Sequence, residues 1–345
     1  MFLFHNWYVA AFSGAVTHEP VGRLICGLPI VLYRTEAGDV VALEDRCIHR
    51  GMPLSLGGVC EGTTIQCPYH ALRFDPTGAC VGGPGGIAVP PTARVLRYEV
   101  VEKGGMVWIW PSQDTPDYAL LDVPEYLHAP GWTTQEILLE IDADWQMLND
   151  NLLDLTHLGV VHARTIGGNP DQHSSARMKT VKRGDRGVLV TRELPESDPP
   201  PQYLAVRQFP GKIDRWMEID FRPGMIQIWS GGTEAGTGAY DGKRDDGVQF
   251  RGFHGVTPAG EKRLHYHFSQ SFNFAVDEAL GARLYQGAMT TLLEDVTVLN
   301  AQQKRLDQTP DRPIVDLISD AGGIQARRII SRLIAAEQQL MANAS

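Results

Sequence analysis

The chain has 345 residues, of which 43% are hydrophobic and 21% are charged, so its composition is that of a globular protein and not of a disordered or fibrous one. This length suits about two domains with large hydrophobic cores. The 41 acidic and 31 basic residues give a net charge of −10, which argues against a nucleic-acid-binding protein.

The first part of the chain has no acidic side chain before Glu19 and no lysine or arginine before Arg23. It lacks the basic start of a signal peptide, and polar residues interrupt it too early for a membrane helix. The five cysteines are an odd and sparse set, which favours metal binding or buried thiols over disulfide bonds. We therefore expect a cytoplasmic protein with no membrane partner.

The N-terminal third reads as a β domain. Residues 1–110 contain short β-like runs separated by turn residues, and the glycine-rich run at 82–86 is expected to be a loop. Several prolines between residues 111 and 134 indicate a linker. We therefore expect a first domain at residues 1–115 and a second at residues 116–345.

The second domain mixes strands and helices. The patterns predict a strand at 136–141, a helix at about 144–161, and long helices at about 277–306 and 324–341. Because the strands between these helices do not alternate with helices, we expect an α+β fold with an antiparallel sheet. Those strands are predicted near residues 187–194, 203–209, 216–221, 225–230, 248–256 and 264–273.

The first cluster of metal-binding residue types pairs one cysteine with one histidine, twice. Cys47 and His49 are followed, after seventeen residues, by Cys67 and His70. Thiolates and imidazoles together suit an iron–sulfur cluster. A structural zinc site is the alternative, although such sites usually pair cysteine with cysteine at short spacing. The three other cysteines are expected to be small buried residues: Cys26, Cys60 and Cys80.

The second cluster lies in the expected helix at 144–161. Asn151, Asp154 and His157 are three residues apart and would share one face of a continuous helix. His162 would then point about 140° away from His157, so both can bind one metal only if the helix ends or bulges between them. Gly159 is the expected place. A solvated polar face is the alternative to a metal site.

A third ligand for this site must come from elsewhere in the chain. The acidic residues of the late helix are Asp277, Glu278, Glu294 and Asp295, and their spacing alone does not choose among them.

Both clusters resemble motifs of one family. The first resembles the Rieske [2Fe–2S] motif C-x-H-x₁₇-C-x₂-H of oxygenases, except that Ala71 stands where glycine is usual. The second resembles the mononuclear iron motif D-x₂-H-x₄-H of the same enzymes, with Asn151 three residues earlier. The opening Asn6-Trp7-Tyr8 and the tail after Asp320 extend the resemblance over the whole chain. The chain looks like the oxygenase subunits of vanillate O-demethylases, of which dicamba O-demethylase is a close relative.

The resemblance implies a Rieske β domain, a helix-grip catalytic domain and a head-to-tail homotrimer. It assigns Asp295 as the third ligand, with Glu294 as the alternative. It makes Asp154 a bridge that carries electrons to the iron site from the cluster of a neighbouring subunit and holds the His157 ring, with Asn151 beside it. The implied cluster ligands are Cys47, His49, Cys67 and His70, and the implied ligands of mononuclear Fe(II) are His157, His162 and Asp295.

The implied activity is that of a monooxygenase that uses O₂ to hydroxylate, and so O-demethylate, a vanillate-like methoxylated aromatic acid. The chain has no strand–GxGxxG–helix unit, so NADH must act through a separate ferredoxin-type reductase. The alternatives are N-dealkylation or ring hydroxylation on the same scaffold, and an electron carrier that uses only the cluster. Three residues on strand-like runs are candidates for the substrate pocket: Gln227, Trp229 and His254.

Overall fold

The computed structural model describes residues 1–344, which divide into two compact units. The first unit comprises Met1–Glu125, Thr257–Glu261 and the chain from Glu337 onward. The second comprises Tyr126–Val256 and Lys262–Ala336. The domain boundary expected between residues 115 and 116 stays a prediction, and it does not include the two late segments that join the first unit.

The first 125 residues contain strands and short 3₁₀ turns, as expected for a β domain. The strands are β1 (Tyr8–Phe12), β2 (Val21–Ile25), β3 (Leu28–Arg34), β4 (Val40–Glu44), β5 (Gly58–Cys60), β6 (Thr64–Gln66), β7 (Arg73–Phe74), β8 (Cys80–Gly82), β9 (Arg97–Lys103) and β10 (Met106–Trp110). They form a six-stranded sheet in the order β1-β10-β9-β4-β3-β2 and a four-stranded sheet in the order β5-β6-β7-β8.

The core of this unit explains where its two metal-binding cysteines lie. Alternate side chains of a strand point to one face, so Val31, Tyr33 and Leu43 meet Ile65 and Phe74 between the two sheets. Cys47 and Cys67 belong to the same apolar cluster. The loops that carry them therefore begin inside the core and run outward to the surface.

The second unit is built on a seven-stranded antiparallel sheet in the order β11-β17-β16-β15-β14-β13-β12. Its strands are β11 (Thr133–Ile141), β12 (Arg177–Arg183), β13 (Gly187–Ser197), β14 (Ile213–Arg222), β15 (Met225–Glu234), β16 (Val248–Gly260) and β17 (Arg263–Phe272). The helices are α1 (Trp145–Leu153), α2 (Leu158–Val161), α3 (Pro170–Ser174), α4 (Pro201–Val206), α5 (Glu278–Gln308) and α6 (Ala321–Ala344). The expected α+β class, antiparallel sheet and two long late helices are confirmed.

Two local predictions were wrong. The helix expected at 144–161 is interrupted, because Asp154 has an extended backbone (φ −117°, ψ 98°) and a 3₁₀ turn, Leu155–His157, separates α1 from α2. The strand expected at 203–209 is absent: its first four residues belong to helix α4, and residues 207–209 form no regular element. Proline at the first helical position has the φ angle that a helix needs, and Pro201 starts α4 in this way.

Within residues 1–344, no helix is both long enough and apolar enough to cross a membrane.

Candidate metal centres

The two loops of the first metal-binding cluster have matching backbone geometry. The Cys47 N–H donates to the Met52 carbonyl at 2.8 Å, and the Gly51 N–H donates to the Cys47 carbonyl at 2.9 Å. The second loop repeats this pattern: the Cys67 N–H donates to Leu72 at 2.8 Å, and the Ala71 N–H donates to Cys67 at 3.0 Å. Two equivalent loops therefore present one thiol and one imidazole each.

The four side chains of these loops pair by type, cysteine with cysteine and histidine with histidine, in a way that fits a Rieske cluster. Cys47 and Cys67 are buried, whereas His49 and His70 are exposed. The two imidazole Nδ1 atoms face each other at 3.2 Å. Buried thiols on one side and exposed imidazoles on the other match the donor set of a [2Fe–2S] cluster whose histidine-bound iron is the outer one.

One backbone group beside Cys47 also suits a cluster ligand. Burial raises the pKa of its thiol, while a hydrogen bond from the His49 backbone N–H lowers it and the Cys67 thiol beside it raises it. Backbone N–H groups that point at a cluster sulfur are one means by which a protein sets the reduction potential.

The second cluster brings two histidines and one carboxylate together in the second unit. One ligand atom each of His157, His162 and Asp295 lies within 4.8 Å of the others. Asp295 Oδ1 is 3.1 Å from His162 Nε2 and 3.6 Å from His157 Nε2. Two imidazoles and one carboxylate on one side of a metal are the ligand set of non-haem Fe(II) oxygenases, so these residues fit that ion.

Each imidazole is held through its other nitrogen. His157 Nδ1 lies 2.7 Å from the backbone oxygen of Asp154, and His162 Nδ1 lies 2.7 Å from Glu294 Oε2. Such bonds fix the ring orientation and leave Nε2 free to bind a metal. Glu294, the alternative to Asp295 as third ligand, therefore contacts the far side of His162 and not the space between the Nε2 atoms.

The pKa values of the two imidazoles shift in opposite directions, although burial lowers both. It lowers the pKa of His157 more than the nearby Asp295 raises it. It also lowers the pKa of His162, but Asp295 and Glu294 raise that pKa by more. Asn151 completes the arrangement, since its Nδ2 donates to Asp295 Oδ1 at 3.0 Å.

The structure corrects the expected geometry of Asp154. Because α1 ends before it, Asp154 does not share a helix face with His157. Its carboxylate accepts hydrogen bonds from the Thr156 backbone N–H at 2.9 Å and hydroxyl at 3.0 Å. Within residues 1–344, the contact of Asp154 with the His157 ring is made by its backbone oxygen alone, and Arg192 Nη1 is 3.8 Å from the carboxylate.

The expected role of Gly159 was also wrong. It lies inside α2, and the change of helix type falls between His157 and Leu158. A Cβ at residue 159 would lie 2.5 Å from Pro170 Cα. Gly159 therefore allows close packing against the start of α3.

A pocket with an empty volume of about 800 Å³, open solvent at its mouth included, adjoins the second cluster. His157, His162 and Asp295 line it, together with mostly apolar side chains of the sheet and of α5. His254 lines it as expected, and burial lowers the pKa of this histidine to about 3. Trp229 lies on the opposite face of the sheet, where it stacks under Arg251 at 3.8 Å.

Gln227 shares this outward face of β15 with Trp229, since Ile228 and Ser230 are the residues of this stretch that line the pocket. Sequence reasoning missed the arginine that lines the pocket, Arg215, and a buried arginine beside Asp154, Arg192. Arginines within strands are usually exposed, so no pattern singled them out.

Comparisons with known proteins agree with this geometry. Residues 6–92 match the Rieske [2Fe-2S] domain, and residues 141–336 match the vanillate O-demethylase oxygenase C-terminal domain. A putative toluene-4-sulfonate monooxygenase system iron-sulfur subunit of Comamonas testosteroni is 40% identical over 98% of both chains. A vanillate O-demethylase oxygenase subunit of Pseudomonas sp. is 34% identical over 98% of this chain and 97% of its own.

A solved structure shares the whole fold. The crystal structure of dicamba monooxygenase bound to dicamba covers 98% of this chain and 99% of its own, with 30% identity and a TM-score of 0.85. Another crystal structure of that enzyme contains non-haem iron. An electron carrier with a cluster alone is therefore excluded. The chain belongs to the Rieske non-haem iron oxygenases, as an oxygenase component of an O-demethylase or monooxygenase system with a [2Fe–2S] cluster, mononuclear iron and a separate reductase.

Proposed function

We propose that this oxygenase component hydroxylates the O-methyl carbon of a methoxylated aromatic acid. The hydroxylated group is a hemiacetal, which decomposes to formaldehyde and a phenol. One oxygen atom of O₂ is inserted into a C–H bond of the methyl group, and the other is reduced to water. NADH supplies the two electrons through the reductase. The observation that carries the proposal is the apolar pocket beside His157, His162 and Asp295, in a chain related to vanillate and dicamba O-demethylases.

The iron, when bound, would activate O₂, and the protein holds the iron in place. In our proposal His157 and His162 bind it through Nε2 and Asp295 binds it through a carboxylate oxygen. Asn151 orients Asp295 by donating to Oδ1 at 3.0 Å. The apolar lining keeps water away from the open side of the site, and pockets of this kind and size commonly bind small molecules.

Asp154 has a separate role in the proposal, as the bridge for electrons between a cluster and the iron site of a neighbouring subunit in a homotrimer. Three hydrogen-bonding groups fix it: Thr156 through two bonds, and the ring of His157 through the backbone oxygen. The reductase is expected to meet the exposed arginines Arg46 and Arg50 near the cluster loops, since basic side chains attract an acidic ferredoxin surface.

A second candidate is hydroxylation of a methyl group attached directly to the ring. Two toluene-4-sulfonate monooxygenase subunits of Comamonas testosteroni are 40% and 38% identical to this chain, above the O-demethylases. Both reactions attack a methyl carbon of an aromatic anion. They differ in product, since an arylmethyl group gives a benzylic alcohol and no formaldehyde.

The test is product analysis with the purified oxygenase, a matching reductase, NADH and O₂. Methoxybenzoates should release formaldehyde in proportion to the NADH consumed, and toluene-4-sulfonate should give its benzylic alcohol only if the second candidate is right. NADH consumption without either product, while N-alkyl or unsubstituted aromatics are oxidised, would contradict both candidates and favour N-dealkylation or ring hydroxylation.

A further inference from the structure

One buried cation of the second unit has no counter-charge. Arg215 on β14 is only 2% exposed. Its Nη1 donates to the Gly167 carbonyl at 2.8 Å and its Nη2 to the Ile166 carbonyl at 3.0 Å. Its Nε is buried with no hydrogen-bond partner, and no carboxylate of residues 1–344 forms an ion pair with it.

These contacts leave the guanidinium incompletely satisfied. Two carbonyl oxygens take up two of its five N–H donors, but neutral dipoles do not cancel its charge. Burial lowers the pKa of the Arg215 guanidinium, which reflects the cost of holding this charge away from water. The Tyr203 ring lies 5.4 Å from the guanidinium carbon, but a ring face does not replace the anionic partner that buried charges in proteins normally have.

The position of Arg215 indicates which anion. It lines the same pocket as His157, His162 and Asp295, and it is the one arginine or lysine among the described residues that line it. Asp295 is already engaged by Asn151 and His162. The carbonyls that hold Arg215 belong to the loop that follows His162, so the cation is fixed to the same segment as a proposed iron ligand.

We propose that Arg215 binds the anionic group, a carboxylate or a sulfonate, of the aromatic substrate. This inference rests on the proposed function, in which the pocket receives an aromatic acid. A guanidinium matches an oxyanion with two parallel hydrogen bonds, and Nη1 and Nη2 of Arg215 each keep one N–H for this purpose beside the one that binds a carbonyl. His254 brings no positive charge to the pocket at pH 7, because burial lowers its pKa to about 3.

The experiment measures binding to the holoenzyme with its cluster and ferrous iron, without O₂ or reductase. The probes are two matched pairs of an anion and a neutral amide: 4-methoxybenzoate with 4-methoxybenzamide, and toluene-4-sulfonate with toluene-4-sulfonamide. The wild-type protein should bind at least one anion more tightly than its amide. The pair with the larger preference identifies the carboxylate or the sulfonate as the natural group.

Arg215→Gln should weaken anion binding by about 30-fold or more, because an interaction with a buried charge is lost, and should change amide binding little. Arg215→Lys keeps the charge and should keep part of the anion preference. Arg244→Gln is the matched control, since Arg244 is a largely buried arginine on the other face of the sheet, 2.6 Å from Glu218 and stacked on Trp216. It should leave the preference unchanged.

Equal weakening of anions and amides in Arg215→Gln would overturn the inference and leave Arg215 as a support for the loop after His162. A wild-type protein without preference for either anion would also overturn it, even if Arg215→Gln does not fold. Binding requires no turnover, so a protein that binds anions through Arg215 but yields no hydroxylated product contradicts the proposed function alone.

Discussion

At the scale of single residues, the iron site separates groups that face the metal from groups that hold them. Neighbouring acidic residues of α5 differ in this respect: Asp295 faces both Nε2 atoms, and Glu294 contacts His162 Nδ1. A helix turns by about 100° per residue, so adjacent side chains reach different sides of the same imidazole. The choice between them therefore depends on the direction of α5, which the sequence does not contain.

Asp295→Ala should remove the mononuclear iron and spare the cluster, because it deletes a proposed ligand. Glu294→Gln should still bind iron, with an affinity lower by about 10–100-fold, since its amide oxygen can still accept the Nδ1–H bond. Iron and acid-labile sulfide per chain, measured after dialysis at graded iron concentrations, would distinguish the two. Loss of iron in Glu294→Gln but not in Asp295→Ala would show that the third ligand is Glu294.

The residue that departs from the family motif carries backbone strain. Ala71 has φ +56°, a left-handed conformation, and Gly51 has φ +68° at the equivalent place in the other cluster loop. This region costs a residue with a Cβ about 1 kcal/mol relative to glycine. Ala71→Gly should therefore raise the free energy of unfolding by about that amount, and Gly51→Ala should lower it. Thermal unfolding followed by the cluster absorbance would measure both, and shifts of the same sign would contradict this explanation.

At the scale of elements, close packing of α2 against α3 sets the positions of His157 and His162. Gly159→Ala should push α2 and α3 apart, because the added Cβ would lie 2.5 Å from Pro170 Cα. We expect weaker iron binding with a normal cluster. Gly287→Ala, in the middle of α5 with nothing within 4 Å of the added methyl, is the control and should stabilise the protein by about 0.5–1 kcal/mol. Normal iron binding in Gly159→Ala would show that α3 can shift without cost.

Elements with a strong local pattern could be predicted from the sequence, and those set by tertiary contacts could not. The long helices and most strands of the second unit have clear periodicity, and the metal-binding motifs depend on spacing along short loops. The break at Asp154 arises from its own hydrogen bonds to Thr156, which compete with the helix. The apolar and aromatic residues of 203–209 favoured a strand, but the prolines before them start a helix.

At the scale of the whole molecule, Asp154 tests the proposed path of electrons. Asp154→Asn removes the charge but retains an oxygen that can accept from Thr156, and the backbone oxygen that holds His157 is unaffected. Iron and cluster contents should therefore stay near normal, while cluster reoxidation and product formation slow together by at least about 10–100-fold. Stopped-flow mixing of reduced enzyme and substrate with O₂ would measure this. If the cluster of Asp154→Asn is reoxidised at the wild-type rate, Asp154 serves only to cap the turn through Thr156.

The first unit combines segments from both ends of the chain, which the ribosome synthesises at widely separated times. The backbone N–H groups of Phe4 and His5 donate to the Glu337 carboxylate, and that of Cys26 donates to the Pro258 carbonyl. During synthesis at about 5–20 residues per second, these partners are made roughly 12–67 s after the residues they bind. The cluster loops can form early in translation. The hydrogen bonds from Phe4, His5 and Cys26 to the late segments form only when translation is nearly complete. Assembly of the first unit is therefore tied to the completion of the chain.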